Sequence, residues 1–171
     1  MGARAEGRGS YFGDGRSHIF NFSIESEPKS SPGNEITLDK PTKVRITAKV
    51  CARLAPEIIE ATEKIRTASR FDRPYWHIER ARREGTRKVF VELIVNGEAV
   101  QRTEIEGDGI VRPVSFDALI AKSSWVALRI LPSSHTNPIF VLIQGAAVRA
   151  SRKSAEWCRQ GVDICWESKS S

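Results

Sequence analysis

Two stretches of strict alternation constrain the fold of this chain more than any other feature of its sequence. In residues 43–52, and again in residues 88–95, apolar side chains occupy every second position. A period of two residues gives an extended strand one apolar and one polar face, as in an antiparallel sheet with one face towards solvent. The second stretch leads into Asn96-Gly97, a dipeptide typical of tight hairpins. The pattern therefore predicts a mainly β fold with antiparallel pairing.

Shorter segments of strand composition recur along the rest of the chain and are separated by polar turns. They are predicted at residues 18–24, 35–38, 100–105, 111–116, 125–131 and 139–143. Such a series is typical of a β-sandwich, so residues 16–150 are expected to form one antiparallel, immunoglobulin-like β-sandwich domain with Trp125 in its core. Residues 1–15 lack an apolar pattern and are expected to be disordered or detached from the domain.

Residues 55–82 interrupt the strand pattern. Pro56 suits the first turn of a helix, and apolar residues spaced three and four apart follow it, which predicts a short inserted helix over residues 56–69. Residues 74–82 fit either a helical turn or an irregular segment. The insertion is therefore expected to be helical or irregular rather than β.

The chain ends in a second helical pattern. Ser151 or Ser154 can cap the first turn, and an apolar stripe predicts a C-terminal amphipathic helix over residues 151–171 that packs on the sandwich. Cys158 and Cys165 lie on this stripe about 10 Å apart, which is too far for a disulfide. They are expected to be buried thiols, and such cysteine usage fits a reducing compartment.

Charge and hydropathy argue against nucleic-acid and membrane binding. The net charge is +6, but acidic residues are interleaved with the basic ones and no nucleic-acid motif accompanies them. No apolar run is long enough to span a membrane, and residues 1–18 lack the apolar core of a secretory signal. A cytoplasmic location is expected by default, and an exported one if the chain is a piece of a secreted parent.

His135 is the first candidate functional residue and lies in the segment SSHTNP, residues 133–138, between two strands. Its side chain titrates near neutral pH, which makes it a candidate general base. Adjacent residues of an extended chain point to opposite sides, however, so Ser134 and Thr136 are poorly placed as reaction partners. The alternative is that His135 and Asn137 fix an irregular loop. Predicted ligand or partner contacts in this loop are Ser134, His135, Thr136 and Asn137.

A second candidate site surrounds Tyr75 and Trp76. Exposed aromatic rings offer flat apolar faces for sugar rings, and the predicted contacts of a carbohydrate or surface polymer are Tyr75, Trp76, His77 and Arg80. The alternative is that Trp76 closes one edge of the core. The three histidines show no HxH or HExxH spacing, so neither a metal site nor a cofactor is expected in this chain.

Several blocks resemble one known family. They include residues 13–18, 74–82 and 91–97, and the most specific are SSHTNPIFV at residues 133–141 and RASRKSAEWC at residues 149–158. Together they span the chain from about Gly13 to Trp166. They resemble the C-terminal region of CehA/McbA-type (carbaryl-hydrolase-like) metallohydrolases of the PHP superfamily.

The resemblance implies a division of roles between two domains. In that family a PHP-type domain upstream of this region binds the divalent metal and carries out hydrolysis, and its metal ligands are absent from this chain. The resemblance therefore implies a non-catalytic accessory β-sandwich that packs against or complements a hydrolase domain, as a remnant or a separate subunit. A carbohydrate-binding or surface-polymer-binding module is the first alternative, and a His135-dependent hydrolase is the second.

Overall fold

The structure is a computed structural model that describes residues 3–6, 11–26, 34–149 and 151–170. Its strands are β1 (Ala3–Glu6), β2 (Tyr11–Gly13), β3 (Ser17–Ser26), β4 (Glu35–Leu38), β5 (Thr42–Ala52), β6 (Lys88–Val95), β7 (Glu98–Glu106), β8 (Arg112–Ile120), β9 (Ser124–Ile130), β10 (Ser134–Thr136) and β11 (Ile139–Ile143). The described helices are α1 (Glu60–Thr67), α2 (Arg152–Ser170) and a short 3₁₀ turn (Ile78–Ala81).

The strands form two sheets. The smaller sheet has the order β1-β3-β5-β8, and every pair in it is antiparallel. The larger sheet has the order β2-β10-β9-β11-β4, with β6 also paired to β9 and β7 paired to β6. Only the β11–β4 pair among them is parallel. The predicted mainly β, mostly antiparallel fold is thus confirmed.

One hydrophobic core joins the inner faces of the two sheets. The alternating stretches supply much of it, and none of these side chains is more than 1% exposed: Val44, Ile46, Val50, Val91 and Leu93. Full burial of an aliphatic side chain contributes about 1.5–3 kcal/mol. The shared core therefore holds the two sheets together and leaves their outer faces available for other contacts.

The first two strands correct the expectation for the N-terminal segment. β1 pairs with β3 and β2 pairs with β10, so residues 3–6 and 11–13 are not detached from the sheets. Both are edge strands, which backbone hydrogen bonds hold without any apolar alternation of their own. The sequence pattern missed them for that reason. The remainder of the expected segment includes residues 1–2 and 7–10, which lie outside the described residues.

The inserted helix is shorter than predicted. α1 begins at Glu60 rather than near Pro56, because the Thr62 hydroxyl accepts a hydrogen bond from the Ile59 backbone N–H at 3.0 Å and caps the first turn there. None of its residues is buried. The ambiguous stretch at residues 74–82 contains the 3₁₀ turn.

A buried ion pair anchors this insertion to the rest of the fold. Glu79 and Arg82 are 1% and 7% exposed, and Arg82 Nε lies 2.7 Å from Glu79 Oε2. Glu79 also accepts a hydrogen bond from the Ala55 backbone N–H at 2.8 Å, and Arg82 donates to the Ala55 carbonyl at 2.7 Å. This network fixes the 3₁₀ turn and, with it, the preceding loop that carries Tyr75 and Trp76.

β9, β10 and β11 form a hairpin with one irregularity. Ser134 pairs with Ile130 whereas Ile139 pairs with Val126, so the register slips by one residue across Asn137-Pro138. A β-bulge of this kind adds one residue to one strand and reverses which positions face the core. The segment predicted as a loop is therefore a short strand followed by a bulge.

The surroundings of α2 differ from the expectation. Every described side chain in residues 151–169 is exposed, so the described structure does not show the predicted packing of this helix on the sandwich. Cys158 and Cys165 are exposed as well, and the prediction that they are buried is wrong. Helical periodicity identifies the apolar side of a helix but not what covers it. None of the described helices is long and apolar enough to cross a membrane.

Candidate functional site

The hydroxyl groups on either side of His135 face the interior. The Ser17 hydroxyl donates a hydrogen bond to the buried Ser134 hydroxyl at 2.7 Å. The Thr136 hydroxyl accepts one from the Leu128 backbone N–H at 3.1 Å. The expected alternation along the strand is confirmed, since Ser134 and Thr136 are buried while His135 is exposed. The Ser134 hydroxyl therefore ties β10 to β3 of the smaller sheet, and the Thr136 hydroxyl ties it to β9.

His135 lies on the outer face of the larger sheet. Its ring stacks on that of Phe12 in the paired strand β2, with ring centroids 5.4 Å apart, and its Nδ1 lies 3.2 Å from the Thr136 carbonyl oxygen. Among the described residues, no hydrogen bond joins this ring to a serine or threonine hydroxyl. Nor does the described part of the chain contain a group of three or more His, Cys, Asp or Glu residues placed to hold a metal ion. His135 is thus an exposed ring to which no nucleophile in the described part of the chain is hydrogen-bonded.

His135 lines an apolar groove on this outer face, here called the sheet groove. The groove encloses about 510 Å³ and lies over β9, with β6 on one side and β10 and β11 on the other. Its lining includes Ile94, Trp125, Ala127, Arg129, Asn137 and Phe140. The predicted contact residues Thr136 and Asn137 therefore border an apolar surface.

Trp125 belongs to this groove and not to the core. In β9 the side chains of Val126, Leu128 and Ile130 are completely buried, while Trp125 is half-buried on the opposite face and pairs with Phe140 of β11. The prediction that Trp125 lies in the core is wrong. A short strand with apolar residues on both faces does not reveal from its sequence which face is inside.

His135 also lines a second, open cavity of about 560 Å³, here called the aromatic cavity. Its lining residues are Phe12, Gly13, Asp14, Tyr75, Trp76, Pro132, Ser133 and His135. The two regions singled out in the sequence, the His135 loop and the Tyr75-Trp76 pair, therefore meet at one place. The Tyr75 and Trp76 rings are perpendicular, with centroids 4.6 Å apart, and are 51% and 41% exposed. They form an aromatic corner rather than a flat platform.

Asp14 connects the segments around the aromatic cavity. Its Oδ1 accepts hydrogen bonds from the Arg16 backbone N–H at 2.9 Å and from the Ser133 hydroxyl at 2.7 Å. Its Oδ2 accepts one from the Ile78 backbone N–H at 3.1 Å. One carboxylate thus positions the turn before β3, the turn before β10 and the 3₁₀ turn.

His77 and Arg80, the other two predicted contacts, shape the loop and are not among the described lining residues of the cavity. His77 Nδ1 accepts a hydrogen bond from the Glu79 backbone N–H at 3.1 Å and so caps the 3₁₀ turn. Burial, and next to it the charge of Arg16, lower the pKa of His77. The Arg80 guanidinium donates hydrogen bonds to four backbone carbonyls, those of Ala68, Ser69, Asp72 and Pro74.

Phe12 and Asp14 are the site residues that sequence reasoning missed. Asp14 lies in a Gly-Asp-Gly turn, which is visible in the sequence. Its side-chain partners Ile78 and Ser133, however, are 64 and 119 residues away along the chain. No local pattern encodes contacts of that range. The Gly-Asp-Gly turn was therefore the only signal in the sequence that could have pointed to Asp14.

No protein-family model matches this chain, and comparison with curated proteins and with solved structures gives no match. The resemblance to carbaryl-hydrolase-like metallohydrolases stays a prediction that rests on the sequence blocks named above. What the chain binds has to follow from the chemistry of its own surfaces.

Proposed function

We propose that this chain is a non-catalytic accessory module that packs against a hydrolase domain of the PHP type. The observation that carries the proposal is that the sequence blocks most specific to the resemblance lie at exposed apolar surfaces. Of the two blocks most specific to the resemblance, the first (residues 133–141) contributes residues 135–138 and 140 to the lining of the sheet groove, and the second (residues 149–158) contains the first turns of α2. Both places expose apolar side chains. The immunoglobulin-like strand order expected from the sequence is part of the same proposal.

The sheet groove has the chemistry of a protein-docking surface. Ile94 and Ala127 are nearly buried within it, at 4% and 7% exposure, and Phe140 is 39% exposed. Arg129, the only arginine, lysine or acid among its described lining residues, is already paired with Glu92 at 2.7 Å. The centres of protein interfaces are likewise apolar and poor in charge. A partner domain would therefore bury apolar surface here and leave no buried charge without its counter-ion.

α2 presents the second apolar surface. Four large apolar side chains on it are between 66% and 75% exposed: Trp157, Val162, Ile164 and Trp166. A lone helix of 19 residues is marginal in water, and proteins stabilise such helices mainly by packing their apolar face. Trp157 and Ile164 flank the apolar stripe of α2 on one side and Trp166 flanks it on the other. Contact with the hydrolase domain would cover the stripe between them and join α2 and the groove in one interface.

The groove is tested by titrating the chain into a separately produced PHP-type catalytic domain of a carbaryl-hydrolase-like protein and measuring the heat of binding. Phe140→Glu places a carboxylate in the groove, so it is expected to weaken binding by at least about tenfold. Leu119→Glu is the matched control, because Leu119 is 67% exposed on the smaller sheet. It should bind like the unmodified chain.

The helix is tested in the same titration. Val162→Glu adds a negative charge to the apolar stripe of α2, and Gln160→Glu adds the same charge on roughly the opposite side of the helix. We expect only Val162→Glu to weaken binding. Equal affinities of Phe140→Glu and Leu119→Glu, or no binding by the unmodified chain, would contradict the proposal.

A carbohydrate-binding module is the second candidate, favoured by the exposed rings of Tyr75 and Trp76 beside the aromatic cavity. Arg80 weakens this candidate, because its guanidinium is engaged by backbone carbonyls. Fluorescence titration with polysaccharides, repeated on Trp76→Ala, is the test. Identical responses of the two proteins would discard this candidate.

A His135-dependent hydrolase has the least support from the geometry, since the ring lacks a hydrogen-bonded hydroxyl among the described residues. Ester hydrolysis by the pure chain and by His135→Ala decides this point. We expect the same rate for both proteins. A rate that falls with His135→Ala would instead favour the hydrolase.

A further inference from the structure

The aromatic cavity combines exposed rings with one acidic group. Phe12, Tyr75 and Trp76 contribute rings that are between 41% and 64% exposed, and His135 stacks on Phe12. Among the described lining residues Asp14 is the only acid, and none of them is a lysine or arginine. The cavity therefore offers π-faces beside a negative charge and no permanent positive charge of its own.

The negative charge of Asp14 has no counter-ion in the described part of the chain. Its three hydrogen-bond donors are two backbone N–H groups and the hydroxyl of Ser133, all of them neutral. These bonds occupy both acceptor sites of Oδ1 but only one of Oδ2, because each carboxylate oxygen accepts about two hydrogen bonds. Asp14 can therefore attract a cation while its present contacts stay intact.

We infer that the aromatic cavity binds an organic cation that carries a quaternary ammonium group. A cation over an aromatic face is attracted by the ring quadrupole, and groups of several rings are the usual binding site for quaternary ammonium ligands. The aromatic cavity shares His135 with the sheet groove but has otherwise different described lining residues, and the inference goes beyond the proposed partner interface.

The number of free hydrogen-bond acceptor sites on Asp14 favours a ligand with a quaternary ammonium group over one with a primary ammonium group. A primary ammonium has three N–H donors that need acceptors when water is removed, and Asp14 offers about one free site. A quaternary group has no N–H donor, so it needs only the rings and the charge. A neutral sugar, with several hydroxyls, would likewise find few partners in this lining.

Arg16 provides an opposing charge close to the cavity. Its backbone N–H binds Asp14, its side chain is exposed, and its charge acts on nearby His77. Removal of that charge should strengthen the binding of a cation and leave the binding of a neutral molecule unchanged. Arg16→Ala therefore tests the electrostatic part of the inference without disturbing the hydrogen bonds of the Asp14 carboxylate.

The experiment is a titration of the full chain with choline, followed by the indole and backbone N–H signals in NMR. A neutral molecule of the same shape, 3,3-dimethylbutan-1-ol, and the primary amine ethanolamine serve as ligand controls. We expect choline to shift the Trp76 signal and to bind at least about tenfold more tightly than the neutral molecule. Ethanolamine should bind more weakly than choline.

Variants separate the rings from the rest of the surface. Trp76→Leu should weaken choline binding about threefold to fivefold, whereas Tyr75→Phe, which keeps the ring, should not. Trp157→Leu, on α2, removes a more exposed indole (74% against 41% for Trp76) and should have no effect. Arg16→Ala should strengthen choline binding roughly twofold.

Four results would each overturn the inference: equal binding of choline and its neutral counterpart, tighter binding of ethanolamine, unchanged choline binding by Trp76→Leu, or a Trp76 shift with glucose but not with choline. The choline measurements do not depend on the hydrolase-domain titration. That titration tests the sheet groove and α2, whereas choline is expected to bind in the aromatic cavity.

Discussion

Replacement of Glu79 by glutamine should reveal how strongly the inserted segment depends on one buried carboxylate. Glu79 accepts one hydrogen bond from the Ala55 backbone N–H and two from the Arg82 guanidinium, at 2.7–3.0 Å. Glutamine keeps the shape but removes the charge, so Arg82, which is 7% exposed, would become a buried cation without a counter-ion. Loss of one partner of a buried pair costs about 3–5 kcal/mol. The free energy of unfolding in urea should fall by that amount.

Glu63→Gln is the matched control for this measurement. Glu63 and Arg66 have the same three-residue spacing and the same 2.7 Å contact, but the Glu63 side chain is 46% exposed. An exposed pair contributes at most about 1 kcal/mol. The reasoning is refuted if Glu79→Gln destabilises the protein no more than Glu63→Gln does.

The same pair gives stability a dependence on pH. Burial alone would raise the pKa of Glu79, but the hydrogen bonds from Arg82 and from the Ala55 N–H outweigh burial, and the pKa is lowered from its ordinary 4.5. Because the folded pKa lies below the unfolded one, this stabilisation is complete above about pH 4.5 and is lost as the pH falls through the folded pKa. The gap in unfolding free energy between the original chain and Glu79→Gln should therefore shrink in acid. A constant gap would contradict this account.

In the folded protein, Cys158 and Cys165 should react rapidly with a thiol reagent, whereas Cys51 should react only after unfolding. Cys51 is buried, and burial raises the pKa of its thiol; three rapidly reacting thiols in the native protein would rule this out. Gly107→Ala should lower the free energy of unfolding by about 1–3 kcal/mol, because a Cβ there would lie 2.8 Å from two side-chain atoms of Leu54. An unchanged Tm would mean that Leu54 moves aside at no cost.

Strands that alternate in polarity, and short apolar runs bounded by turn residues, could be predicted from the sequence. β4, β6 and β11 have the predicted bounds, and β5 differs by one residue at its start. β2 and β10 could not be predicted, because three residues are too few to show a period and these strands exist by pairing with each other. Their pairing joins parts of the chain that are more than a hundred residues apart, as Gly13 and Ser134 show.

The sequence predicts which residues belong to the candidate site better than it predicts how they are arranged. The sequence indicates His135 as a histidine in a polar loop and Tyr75 and Trp76 as aromatic rings free to face a ligand, and all three line the aromatic cavity. Asp14 was missed because its role depends on distant partners. The direction of the Trp125 side chain could not be predicted, since it depends on which face of β9 meets the smaller sheet.

The bulge at Asn137-Pro138 explains why the sheet groove reaches His135, which also lines the aromatic cavity. Ser134 must face inward because its hydroxyl binds that of Ser17, and Ile139 must face inward because it is a core side chain. In an uninterrupted strand an even-numbered and an odd-numbered residue cannot share a face. One extra residue resolves the conflict and keeps His135 and Phe140 both on the outer side. The register slip therefore places Phe140 on the same face as His135, so the sheet groove extends to the side chain that also lines the aromatic cavity.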